Sequence, residues 1–483
     1  MRSLFLNPPY LPNFSRGQRS PQVTKSGTFY YPIWLAYAAG AVEADGHDLV
    51  LIDAPADRRS VEDVLAAAGQ LDPGFIAVDT STPSIENDAQ VARQLKERCP
   101  KSVVALVGPH VSATPIETLQ SYPWVDLVAV REYDDTLREV ARLIAEGKDW
   151  TGAAGIALRR DGKPALNALR PSIQELDRLP FVSRTYRKHL DFKNYFYAIT
   201  QWPVVTIISG RGCPYKCDFC LFPQTLQGHQ YRQRSAENVV EELAFIEKSF
   251  PGVREVFIED DTMTLNRKRM ARTCDEIIRR RLKLHWTCNA RCDVDLETLR
   301  HMHAANCRLL CVGIESGDQK ILDNVEKGIT LERIEQFFRE VKRSGLLVHG
   351  CFMAGNDGET RETLQKTLDL AKRLNPDTAQ FFPLMIYPGT RAYEKARVED
   401  RIVARSYAEW LTPEGLHNTV VDRPDLPHAE IVAFCDRARR EYYLRPRYLA
   451  YKLKQIFTHP REARRLFKSM KTFGRYLFAK AQP

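Results

Sequence analysis

The chain has 483 residues, a net charge of +9, 44% hydrophobic and 27% charged residues, too long for one ordinary core, so two or three domains are expected. No run of about 18 apolar residues occurs and residues 1–8 break too early for a signal peptide, so a cytoplasmic protein is expected, neither membrane-spanning nor secreted. Eleven cysteines without a leader point to metal or buried-thiol uses and not to a disulfide framework. Residues 441–483 hold eleven Lys or Arg against two Glu, which equals the charge of the whole chain; the body is neutral, and no nucleic acid is expected as a partner.

Residues 1–147 alternate short apolar runs with helical periods. Strands are predicted at 3–6, 48–53, 75–79, 103–107 and 127–130, with helices at 33–44, 61–68, 85–98 and 136–145. Such alternation reads as α/β: a doubly wound, Rossmann-like parallel sheet that takes ligands at the carboxyl ends of its strands. Those ends carry Asn7-Pro8-Pro9, Asp53-Ala54-Pro55, Thr80-Ser81-Thr82-Pro83, Gly108-Pro109-His110 and Arg131-Glu132-Tyr133, small, polar or turn-forming as the rim of a large ligand requires. No G-x-G-x-x-G follows the first strand, which argues against a nucleotide. His110 reads as a pocket-lining residue and not as a metal ligand.

Residues 148–200 read as a connector, with a hairpin turning at Asp161-Gly162. In residues 201–395 strands are predicted at 204–208, 255–259, 284–290, 308–314, 347–353 and 378–384, and helices at 236–249, 267–281, 296–305, 331–344 and 360–374. Six strands with five intervening helices suit a partial (β/α)6 barrel, with its chemistry at the carboxyl ends of the strands. Residues 396–483 form a C-terminal region in which 400–440 show no assignable period. Its end is a basic amphipathic helix: Leu466, Met470, Phe473 and Leu477 share one side, and Arg464, Arg465, Lys468, Lys471 and Arg475 the other. Such a helix either lies on an anionic membrane surface or docks its apolar stripe on the protein.

Directly after the first barrel strand comes Gly210-Arg211-Gly212-Cys213-Pro214-Tyr215-Lys216-Cys217-Asp218-Phe219-Cys220. Three thiolates spaced C-x3-C-x2-C on one loop can hold three irons of a [4Fe–4S] cluster and leave the fourth free. The alternatives are a zinc knuckle or separate buried thiols; zinc wants a fourth ligand close by, and His229 lies nine residues on. Other barrel strands end in Asp260-Asp261-Thr262, Arg291 and Glu315-Ser316-Gly317. Singly, each of these suits a strand-end cap or a surface ion pair as well as a ligand contact. A second cysteine set, Cys288, Cys292, Cys307 and Cys311, is set aside by strand parity, which places Cys307 and Cys311 on the face of Glu315 and the other two opposite to that of Arg291.

The cysteine loop resembles that of radical SAM enzymes, in which S-adenosylmethionine occupies the open iron and is cleaved to a 5'-deoxyadenosyl radical. The resemblance implies that Asp260, Asp261, Arg291, Glu315 and Ser316 hold the amino, carboxylate and ribose groups of that cofactor, consistent with an ammonium seeking acids and a carboxylate seeking a guanidinium. Gly355-Asn356-Asp357-Gly358-Glu359-Thr360 resembles a turn of the same family with Asp357 in place of proline; Asp357 is expected to cap the following helix. Leu6-Asn7-Pro8-Pro9, Tyr31-Pro32-Ile33-Trp34-Leu35-Ala36, Thr80-Ser81-Thr82-Pro83 and Gly108-Pro109-His110-Val111 resemble the cobalamin-binding domain of B12-dependent members, which implies a cobalamin pocket lined by Asn7, Asp53, Thr80, Ser81, Gly108, His110 and Glu132. The D-x-H-x-x-G motif of cobalamin mutases is missing after the first strand, and Asp45-Gly46-His47 precedes the second without the glycine, so cobalt with no histidine beneath it is expected.

The run Cys220-Leu221-Phe222-Pro223-Gln224-Thr225-Leu226-Gln227-Gly228-His229 is similar to hopanoid-associated B12-type radical SAM proteins. This implies a lipidic or polycyclic small-molecule substrate, an external electron donor such as flavodoxin or ferredoxin, and peripheral membrane contact through the basic tail. Three activities are compatible with the motifs: methylation of an unactivated carbon, radical ring formation or rearrangement without methyl transfer, and a non-catalytic sensor.

Overall fold

A computed structural model describes residues 1–423 and 426–458. Five parallel strands open the chain: β1 (Arg2–Asn7), β2 (Asp48–Asp53), β3 (Phe75–Asp79), β4 (Val103–Val107) and β5 (Leu127–Ala129). Between their polar ends all five are apolar and largely buried, as strands covered by helices on both faces must be. The sheet order is β2-β1-β3-β4-β5, so the winding reverses between β1 and β3, and the crevice at a doubly wound sheet's switch point opens at Asn7 and Asp79. The helix Ile33–Ala44 buries residues all round because it lies between this sheet and the rest of the molecule.

The predicted hairpin forms as β6 (Ile156–Arg160) and β7 (Lys163–Leu166), turning at Asp161 and Gly162, both at positive φ as this tight turn demands. It is not a free connector. β6 pairs antiparallel with β5 through Leu127↔Leu158 and Ala129↔Ile156, so the first sheet has seven strands and runs on past residue 147.

The second sheet is six-stranded and parallel throughout, in the order β15-β14-β13-β12-β11-β8: β8 (Val204–Ile207), β11 (Glu255–Ile258), β12 (His285–Ala290), β13 (Cys307–Glu315), β14 (Leu347–Ala354) and β15 (Thr378–Pro383). β8 and β15 are the edges, which leaves an open barrel. After β8 a two-stranded ribbon, β9 (Gly210–Arg211) with β10 (Arg232–Gln233), carries the cysteine loop between its strands.

Two irregularities in β13 correct the parity argument. Pairing steps from Trp286↔Cys307 to Thr287↔Leu309, which skips Arg308, and from Gly313↔Cys351 to Glu315↔Phe352, which skips Ile314. The first bulge turns Cys307 away from the face of Cys311. Cys307 lies against Cys288 and Cys274, and Cys311 against Cys351. Two of the four thiols, Cys288 and Cys307, therefore meet where alternation separates them, and Cys307 and Cys311 part where alternation joins them.

The region 400–440 holds a helix that the sequence reading leaves unassigned, His428–Tyr443, which buries Ile431, Phe434, Cys435, Ala438 and Tyr442 at helical spacing. The amphipathic stripe at Leu466 to Leu477 lies outside the described residues. No helix among the described residues is long and apolar enough to cross a membrane.

Candidate functional site

The cysteine loop is held at its stem, at its turn and along its backbone. At the stem Arg211 and Arg232 face each other across the ribbon, and each reaches an acid of the first domain. Arg211 grips Asp134 with two bonds of 2.8 and 3.0 Å, and Arg232 grips Glu132 with two of 2.6 and 2.8 Å, all four side chains buried. Glu132 also accepts from the backbone N–H of Ile173 at 2.9 Å. It is thus an interdomain anchor, a different setting from the open rim position expected of it.

At the turn, Gly212 has φ +82° and a Cβ there would meet Gln230 O at 2.2 Å, so only glycine fits. Gln224 then braces the loop. Its Nε2 donates to the carbonyls of Cys220 at 2.9 Å and Asp218 at 3.0 Å, with that of Cys217 at 3.4 Å, while its Oε1 accepts from Arg391 N at 3.0 Å. His229 Nδ1 sits 3.0 Å from Cys213 O, so its ring serves the backbone. Burial pushes the Cys213 thiol up to about 11 and raises Cys220 well above the usual thiol range, with Asp261 the next cause for both. Binding a metal here would exchange these thiol protons for positive charge, as thiolate ligation does. Three thiols on one loop, next to cations and acids, fit a [4Fe–4S] cluster.

Around the loop the ends of β11, β12 and β13 converge. Arg19, from the segment that leaves β1, reaches across to the barrel and pairs with Glu259 Oε1 at 2.6 Å and Asp261 Oδ1 at 2.9 Å. The other oxygens, Glu259 Oε2 and Asp261 Oδ2, are buried with no hydrogen-bond partner. Asp260 faces a different group: its two oxygens accept from Ser209 N and Ser209 Oγ, both at 2.6 Å, which ties the end of β11 to that of β8. Arg291 lies on the ring of Tyr215, 3.5 Å from its centroid, donates to Lys327 O at 2.7 Å, and has a buried Nε that makes no hydrogen bond and lies 3.5 Å from Asp293 Oδ2. Glu315, at φ +67°, pairs with the buried Lys327 at 2.7 Å. Ser316 Oγ accepts from Asp318 N at 3.2 Å and sits 3.3 Å from Thr367 Oγ1. Unpaired buried polar atoms are rare in folded proteins and ask for a partner. Two carboxylate oxygens without hydrogen bonds, with a guanidinium close by, fit the ammonium and carboxylate of an amino acid group beside one cysteine loop.

In the first domain, Asn7 and Asp53 bond to each other at 2.8 Å and are braced by Arg16 and by Tyr195, whose hydroxyl donates to Asp53 at 2.7 Å. Arg16 in turn forks onto Asp88 behind the rim. Thr80 Oγ1 donates to Val107 O at 2.7 Å, and Ser81 meets Ser84 at 2.7 Å. Gly108 has φ +119°, and a Cβ would fall 2.4 Å from Thr80 O, so the strand end closes against β3 only with glycine. His110 is buried with Nδ1 3.2 Å from Thr82 Oγ1 and its ring edge-on to Tyr407; burial pulls it down to about 3, so it is neutral. These hydrogen-bonded polar groups gather at the β1/β3 switch point, the place where a doubly wound sheet takes a large ligand.

Residues 207–371 match the radical SAM superfamily and residues 20–141 the B12 binding domain. An uncharacterized methyltransferase of Pyrococcus horikoshii is 30% identical over 435 residues, 90% of this chain and 91% of that protein. The chain belongs to the cobalamin-dependent radical SAM enzymes. The cofactors of this family are a [4Fe–4S] cluster, S-adenosylmethionine and cobalamin. The anaerobic magnesium-protoporphyrin IX monomethyl ester cyclase of Rubrivivax gelatinosus is 26% identical over 96% of this chain and 80% of that protein. In fold, the chain resembles the radical SAM methyltransferase TsrM of Kitasatospora setae, with a TM-score of 0.69 at 19% identity over 91% of this chain and 90% of that one.

For a radical SAM enzyme of this kind, the sequence reading missed Arg19, Gln224, Glu259 and Lys327. Gln224 was legible only as part of a resemblance. Arg19 and Lys327 carry no motif, and their partners lie 240 and 12 residues away along the chain. Asp357 is also not the helix cap it was expected to be: Thr360 caps that helix, and Asp357 pairs with Lys395 and with Arg423 at 3.0 Å.

Proposed function

We propose that this enzyme methylates an unactivated carbon of a lipidic or polycyclic small molecule. The observation that carries the reading is the end-to-end match to the Pyrococcus protein, whose name is that of a methyltransferase. When bound, the cluster and S-adenosylmethionine supply a 5'-deoxyadenosyl radical, and cobalamin a methyl group or an electron.

The chain's own residues do the positioning. Cys213, Cys217 and Cys220 hold the cluster, on a loop whose stem is locked to the first domain. Glu259 and Asp261 accept the ammonium of the cofactor, and Arg291, flattened on Tyr215, receives its carboxylate. Asp260, through Ser209, and the Glu315–Lys327 pair, with Ser316, keep those strand ends in register. Asn7, Asp53, Thr80, Ser81, Gly108 and His110 form the cobalamin rim, with Glu132 anchoring it to the barrel. The rings of Tyr30, packed on Tyr197, and of Phe222 lie beside Arg19 and suit an apolar substrate. A flavodoxin or ferredoxin donates the electron, and the basic tail meets an anionic membrane.

The match to the cyclase from Rubrivivax favours a second reading, ring formation without methyl transfer. Anaerobic reconstitution with cobalamin separates the two. Methyl transfer yields S-adenosylhomocysteine together with 5'-deoxyadenosine, whereas ring chemistry yields only the latter. Absence of both, with the cluster loaded, refutes either reading. Replacing any one of Cys213, Cys217 or Cys220 by Ala is expected to abolish 5'-deoxyadenosine formation.

A further inference from the structure

Inside the barrel, Cys311 on β13 and His349 and Cys351 on β14 bring one ligand atom each to within 4.8 Å of one another. The pairing explains the trio. Cys311 is directly opposite His349, and Cys351 is two residues further along the same strand and so on the same face. The two sulfurs are 3.9 Å apart. That is nearly twice the roughly 2.05 Å of a disulfide, and it is close to the edge of a tetrahedron drawn with metal–sulfur bonds of about 2.3 Å. His349 is buried, and its Nδ1 sits 2.8 Å from Thr378 Oγ1 on the neighbouring β15, so the ring is oriented by a neighbour as ligating histidines are. Tyr30 of the first domain lies beside both sulfurs.

We propose that Cys311, His349 and Cys351 form a second metal site, for a zinc-class divalent cation, distinct from the [4Fe–4S] cluster. Two thiols and an imidazole are a borderline-soft donor set suited to tetrahedral zinc. Binding exchanges two thiol protons, released to water, for one dication, and leaves the two thiolates and the metal with no net charge. The metal is not redox-active and can sit in a barrel that also holds a reducing cluster. The site is independent of which carbon is modified, because its ligands come from mid-strand positions and not from the strand-end residues assigned to S-adenosylmethionine.

The test uses full-length protein carrying its cluster and cobalamin, incubated anaerobically with one equivalent of zinc chloride and then desalted. Metal analysis is expected to find one zinc per chain. X-ray absorption at the zinc edge, blind to iron and cobalt, is expected to show two sulfurs at about 2.3 Å and nitrogen or oxygen at about 2.0–2.1 Å. In the double variant C311S/C351S the sulfur shell and the zinc are lost while the iron content stays. In H349Q, which keeps both thiols, zinc is lost to a chelator about tenfold faster or more. Zinc bound through nitrogen and oxygen alone overturns the proposal, as does zinc retained by the double variant or a three-sulfur shell accompanied by loss of iron. A Cys311–Cys351 disulfide that excludes zinc from the anaerobic protein also overturns it. If the double variant does not fold, unchanged zinc retention in H349Q does the same.

Discussion

Gln224→Ala should loosen the cluster without touching a ligand. The amide makes two well-formed hydrogen bonds to the carbonyls of Cys220 and Asp218 and a third, through Oε1, with Arg391 N. A net contribution of about 1 kcal/mol for each bond gives about 2–3 kcal/mol in favour of the closed loop. At about 1.4 kcal/mol per tenfold, that is a shift of about 30- to 150-fold toward loop conformations that release iron. The assay is anaerobic: reconstituted protein is mixed with a ferrous chelator and iron release is followed by absorbance. The wild type and Gln224→Ala should reach the same initial iron content, with release faster in the variant by a factor in that range. Gln224→Glu should be worse still, because it sets an acceptor-only carboxylate against carbonyls. Release from Gln224→Ala at the wild-type rate would refute the reasoning, since the loop would then be rigid without its brace.

Other outcomes follow from the same geometry. Glu132→Ala strands Arg232 in a buried interface, and should destabilise the docking of the two domains by about 3–5 kcal/mol, read as earlier proteolysis between them. Gly108→Ala forces φ +119° on a residue with a Cβ and presses it on Thr80 O; about 1–3 kcal/mol of strain should appear as weaker cobalamin retention with the iron content intact. Burial raises Asp79 to about 7. A carboxyl raised on folding holds its proton more tightly in the native state, so the stability it lends is complete below about pH 4 and is lost as pH rises through about 7. Asp79→Asn should flatten that decline, so that its denaturation midpoint, relative to wild type, is higher at pH 8 than at pH 5; an unchanged difference would show that Asp79 is ionised throughout.

The parts of this molecule that were legible in its sequence are those fixed by local pattern. β2, β3 and β4 and the helices Ile33–Ala44 and Ile85–Arg98 lie where apolar alternation and helical period put them, because both faces of the sheet are covered and the runs have sharp polar ends. The three thiols were equally plain, since their spacing lies within one loop. What was not legible depends on chain segments meeting. A skipped residue at Arg308 reverses the face of Cys307, and nothing in the run from Cys307 to Glu315 announces it. The hairpin at Asp161-Gly162 was readable as a hairpin, but its pairing with β5 was not, because two short strands carry no label for their neighbour.

The strand-end acids make the same point at the site itself. Asp260 and Asp261 are adjacent and chemically alike, yet one is consumed by Ser209 and the other keeps a buried oxygen without a partner. The difference arises because a β-strand end turns successive side chains to opposite sides, toward β8 in one case and toward Arg19 in the other. Arg19 belongs to the cobalamin domain, so the charge that steadies the acids of the barrel arrives only when the two domains dock. The Arg211–Asp134 and Arg232–Glu132 pairs fix that docking at the stem of the cysteine loop. The cluster loop, the acids and the cobalamin rim are therefore set in register by one interface, and a substitution there should disturb all three together, whereas Gln224→Ala should disturb the loop alone.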